Sequence, residues 1–121
     1  MNAEELADRL LNFNGDIVKT CSPLQKTYIG RHIFGQLFRA SSSSGANYEE
    51  ARGAESRADF VHKMQIVLKE LRESAFWLRL IQRVNLLPDN AICPLINEAN
   101  ELIRIFSKSV VTSKSPKKFE I

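Results

Sequence analysis

A chain of 121 residues with 44% apolar and 26% charged side chains suffices for one buried core but not for two, and five Gly with four Pro leave little material for turns. No stretch approaches the roughly 18 uninterrupted apolar residues of a membrane span, and Met1 to Leu10 carry Glu4, Glu5 and Asp8 rather than a basic start and an apolar run, which predicts a cytoplasmic protein. Cys21 and Cys93 stand far apart with no CxxC or Cys/His cluster, so neither a zinc site nor a disulfide framework is signalled, and the formal charge of +3 leans only slightly toward polyanions.

The first predicted helix runs from about Ala3 to about Thr20, because Leu6, Leu10, Phe13 and Ile17 recur at three- and four-residue steps on one face, with Gly15 a local weakness. Ser22-Pro23 breaks it. A second helix is expected from about Lys26 to about Glu50, with Ile29, Ile33, Phe34, Leu37, Phe38 and Ala40 turned inward. Its later part, Ser41 to Ala46, admits two readings: a flexible linker, or a helical turn whose small side chains let a neighbouring backbone approach.

Arg52-Gly53-Ala54 closes that helix, and Ser56-Arg57-Ala58-Asp59 has the form of a capping box with Asp where Glu or Gln is usual. The long third helix carries two apolar stripes. Phe60, Met64, Val67, Leu71, Leu78 and Ile81 serve the core, while Val61, Leu68, Ala75, Phe76, Trp77, Leu80 and Val84 ask for a second surface, most simply another subunit. After the turn Leu86 to Asn90, where Asp89 or Asn90 is placed to cap and Pro94 to fall in a first turn, a fourth helix reaches about Val111 with Ile92, Leu95, Ile96, Ala99, Leu102, Ile103, Phe106 and Val110 on one side. Residues 1–111 therefore form one domain, and 112–121, with Lys114, Lys117 and Lys118 around Pro116, read as a flexible basic tail. Four helices with short connections define an all-α, up-down-up-down four-helix bundle.

Catalytic material is thin, and no enzyme is expected. His32 and His62 lie in no HExxH or Glu-x-x-His arrangement, no phosphate-cradling glycine motif or GxSxG string exists, and neither a cofactor nor a metal is implied. Glu49, Glu50, Glu55 and Asp59 around the turn between helices two and three read as helix-terminal charges. Arg31, Arg39, Arg52, Arg57 and Lys63 fall on or near helix two and the start of helix three, where they either neutralise phosphates or are solvated beside those carboxylates.

The strings Leu37-Phe38-Arg39-Ala40-Ser41 through Ala51, then Ser56-Arg57-Ala58-Asp59-Phe60-Val61-His62-Lys63, then Leu68-Lys69-Glu70-Leu71-Arg72-Glu73-Ser74 and Trp77-Leu78-Arg79-Leu80 together resemble a bacterial four-helix-bundle family. Its members include proteins encoded within intervening sequences of large-subunit ribosomal RNA genes and accessory proteins of diversity-generating retroelements. The resemblance implies that the serine run is helical, and that the chain assembles into a homopentameric barrel, which would multiply its positive charge fivefold. It says less about function, since most members have no assigned role.

Two functions follow as expectations. The first is an oligomeric module that binds RNA or DNA, with Arg39, Arg52, Arg57 and Lys63 contacting phosphates. The second is a structural or protein-interaction subunit in which Phe76, Trp77 and Leu80 make subunit contacts.

Overall fold

The computed structural model describes residues 1–114, and contains four helices and no strand among them. They are α1 (Ala3–Cys21), α2 (Tyr28–Arg52), α3 (Arg57–Arg83) and α4 (Asp89–Ser113). One apolar stripe from each helix closes with the others in one core. Leu10, Phe13 and Ile17 from α1, Leu37 from α2, Leu71, Leu78 and Ile81 from α3, and Ile92, Leu102 and Phe106 from α4 are all but sealed from solvent. Tyr48 adds an edge-to-face contact with Phe106 at 5.3 Å between ring centroids. Consecutive helices pack as neighbours and α4 returns to α1, leaving α1 and α3 on the diagonal. Arg9 clasps that return, donating to both Glu98 oxygens at 2.7 and 2.8 Å and approaching Glu101 at 2.9 Å.

Helix ends follow local chemistry. Asn2 caps α1 by accepting from the Glu5 amide, Thr27 caps α2 by accepting from Gly30, and Ser56 caps α3 by accepting from Asp59. The capping box at α3 is shifted by one residue, because Asp59 accepts from the Glu55 amide and not from that of Ser56. The Ser22-Pro23 break is a short 3-10 helix, Ser22–Lys26, so α2 starts two residues later than expected. Gly30 is required at that corner: a Cβ there would stand 2.1 Å from the Leu24 carbonyl oxygen.

The serine run is helical. Ser41 and Ser44 are fully buried in α2, and their hydroxyls donate to the carbonyls of Phe38 and Ser41, so neither hydroxyl is stranded. Beside them, a Cβ on Gly45 would come 2.6 Å from the Asn14 amide nitrogen, so α1 and α2 are in close contact here.

Several expectations need correction. Ile29 and Phe38 do not face the core: they are 64% and 43% exposed, and Phe38 stacks on Phe34 at the boundary. Neither Asp89 nor Asn90 caps α4, whose N-cap is Pro88 with no side-chain bond, leaving Asp89 in the first turn where the helix dipole favours it. Pro94 lies inside α4, past the first turn. The last helix also reaches Ser113, two residues beyond Val111, while residues 115–121 of the expected tail lie outside the described residues. Among the described residues no helix is long and apolar enough to cross a membrane, and no group of three or more His, Cys, Asp or Glu is placed to hold a metal.

Candidate nucleic-acid interface

The four cations singled out from the sequence do not converge on one open surface. Arg39 crosses from α2 to α3, where it donates to Glu70 at 3.0 Å and pairs with Glu73. Glu70 is only 6% exposed, so this guanidinium neutralises a buried carboxylate. Hydrogen bonds from Trp77 and then from Arg39 hold the Glu73 carboxyl below its ordinary range. Trp77 Nε1 donates to Glu73 at 3.0 Å, and the His32 ring meets the indole edge-on at 6.2 Å. Lys63 donates to Glu50 at 2.7 Å, which raises its pKa, and Arg52 pairs with Glu49 a turn earlier at 3.1 Å. Arg57 donates to the Lys114 carbonyl at 3.0 Å. Taken in order along α2, His32, Arg39 and Glu50 meet Trp77, Glu70 and Lys63 of α3, so the two helices run antiparallel.

A different set of cations gathers on α3. With 3.6 residues per turn, an arc of about 100° directed away from the core collects Val61, His62, Gln65, Lys69, Arg72, Phe76, Arg79, Leu80 and Arg83. It contains no acid. Met64, Val67, Leu71 and Leu78 on the reverse side are buried, so packing fixes this arc outward. Among the described residues Arg72, Arg79 and Arg83 form no ion pair or hydrogen bond. Phe76, 55% exposed, stands among them, and with Arg79, Leu80 and Arg83 it lines a shallow cavity of about 330 Å³.

The expected subunit-contact residues therefore separate. Phe76 is an open apolar surface and Leu80 is half-buried beside it, whereas Trp77 is already engaged within its own chain by Glu73 and His32. The basic arc was within reach of sequence reading, because Lys69, Arg72, Phe76, Arg79 and Arg83 alternate steps of three and four with no acid in phase. His62 lies on the arc and the ring of His32 lies against Trp77.

Fold and surface together describe a small four-helix protein with one face rich in unpaired cations. The match is to the family of 23S rRNA-intervening sequence proteins over residues 5–108, and the chain belongs to that family. It is also similar to a crystal structure of a protein of unknown function from the S23 ribosomal protein family of Bacteroides thetaiotaomicron, at 31% identity and a TM-score of 0.81, covering 91% of this chain and 98% of that one. Comparison with curated proteins found no match.

Proposed function

We propose that this chain is a non-catalytic binding module that grips a nucleic-acid backbone with the outward face of α3. The observation that carries this is the acid-free arc, in which Lys69, Arg72, Arg79 and Arg83 are presented along one helix. Exposed Phe76 in their midst offers a ring on which an unpaired base can stack. The family name, with its 23S rRNA intervening sequence, and the ribosomal family of the solved relative favour RNA. Arg39, Arg52 and Lys63 contribute less in this reading because carboxylates already hold them.

Titration of labelled single-stranded RNA and of duplex DNA at low and moderate salt tests it. Affinity should fall steeply with salt, and should fall again when Arg72 and Arg79 are replaced by Ala. Salt-insensitive binding, or no loss in that double variant, would overturn it.

A second reading, self-association, is favoured by the exposure of Phe76 and by the resemblance to pentameric relatives. Light scattering on the purified protein reads the subunit number directly, and a monomer at all concentrations would exclude this second reading.

A further inference from the structure

The cations of the α3 face are strung along one line with an aromatic ring at its midpoint. Lys69 and Arg83 each lie seven residues from Phe76, ~10.5 Å of axis to either side, while Arg72 and Arg79 fall four residues before it and three after. By the helical period all five side chains leave α3 within about 80° of its circumference. The acids of the same stretch, Glu70 and Glu73, are drawn sideways to Arg39, so no carboxylate of α3 stands in the line.

The ring is also braced. Phe76 packs on Trp77 with ring planes crossed at 77° and centroids 5.1 Å apart. The indole is itself fixed by its hydrogen bond to Glu73 and by the ring of His32. An exposed phenyl group held in this way has little freedom left to lose when a partner arrives. Arg79, Leu80 and Arg83 complete the hollow beside it, so a flat group laid on Phe76 gains apolar surface from Leu80 and lies within reach of two guanidinium groups.

Such a face distinguishes nucleic acids by whether a base is free. In an A-form duplex the base faces are stacked on one another, the major groove is too narrow for side chains to read and the minor groove is shallow. A duplex therefore meets the lysine and the arginines with its phosphates and finds no use for the ring. An unpaired strand uses both, and because every base has a π-face it does so with little regard to sequence. We infer that the α3 face takes a single strand in preference to a duplex, with one base laid on Phe76 and the flanking phosphates met by Lys69 and Arg72 on one side and by Arg79 and Arg83 on the other. Strand selection rests on the nucleic-acid reading of α3, to which it adds the form of nucleic acid chosen and the residue that chooses it.

One RNA sequence offered in three forms tests this: single-stranded, annealed to its complement, and as a base-free ribose-phosphate strand of equal length. At moderate salt the wild-type protein should bind the single strand at least about fivefold more tightly than either other form, the lower end of what one base stacked on a ring contributes. Phe76→Leu keeps an apolar side chain at an exposed position but removes the flat ring. It should lose that margin on the single strand and leave the other two forms unchanged, whereas Phe76→Tyr should keep it. The salt slope should be the same in all three proteins, because no phosphate contact is removed. A wild-type protein that binds the duplex or the base-free strand as tightly as the single strand overturns strand selection, as does a Phe76→Leu protein that retains the full margin; in either case salt-dependent binding leaves the nucleic-acid reading standing. Salt-insensitive binding to every form, or none, sinks that reading and strand selection with it.

Discussion

The two flanks of α3 carry the same residue types to opposite ends. On the flank against α2, Arg39, Glu70, Glu73, Trp77 and His32 form a connected seam in which charge is matched within the chain. On the outward flank, Arg72, Arg79 and Arg83 meet no carboxylate among the described residues. A cation that neutralises a buried acid is part of the fold, while one left unmatched on an acid-free face is available to a partner. Substitution should tell the two apart, because the first kind should change stability without changing binding and the second the reverse.

The largest effect on stability is expected at the seam. Arg39→Ala leaves Glu70 buried without its counter-charge, and should cost about 2–3 kcal/mol in urea unfolding, below the full range for buried pairs because Arg39 is half-exposed. RNA affinity should be unchanged in that variant, which sharpens the comparison. Arg72→Ala with Arg79→Ala should instead leave stability within about 0.5 kcal/mol, while lowering RNA affinity about tenfold or more. The slope of log affinity against log salt should fall by about 0.7 per arginine for single-stranded RNA, as filter binding or fluorescence anisotropy would show. If that variant proves unstable and binds normally, the division between the two flanks is broken.

A smaller effect is expected from Trp77→Phe, which keeps a ring against His32 but removes the donor to Glu73; the loss should be about 1 kcal/mol by thermal or urea unfolding. The smallest effect is in acid. Because the Glu73 carboxyl is held below its unfolded value near 4.5, the unfolded chain binds the proton first as pH falls. The stability it supplies is therefore complete above that value and is lost as pH descends through the lowered folded value. Urea midpoints measured from pH 6 to pH 3 should decline less steeply for Glu73→Gln than for the parent protein.

How much of this could be read from the sequence depends on the range of the interaction. The four helices were legible because each repeats apolar residues at its own period, and the stripe of α4 survives with Ile92, Leu95, Ala99, Leu102, Phe106 and Val110 all buried. Phe38 and Ile29 are apolar in type but lie past the edge of the arc that the core covers. The 3-10 helix after Cys21 was hidden, since Pro announces a break without saying what fills it. The surface was harder. Arg39 reads as a free cation until Glu70 and Glu73, more than thirty residues away, are folded against it, and no spacing rule reveals that pairing. The arc on α3 needs only the helical period to be seen, whereas Arg39, Arg52 and Lys63, which look free in the sequence, are taken up by carboxylates in the fold.

Trp77 is the only tryptophan in the chain, and it stands where the two flanks meet: its indole nitrogen is bonded to Glu73, its edge lies against His32, and Phe76 packs at 5.1 Å on its other side. The protein thus carries one indole, which can be excited apart from its two tyrosines, at its most informative position. Opening of the α2–α3 seam would wet the indole and shift its emission to the red, whereas a base or a neighbouring subunit arriving over Phe76 would alter its intensity without that shift, so unfolding and docking can be followed in one cuvette without any label.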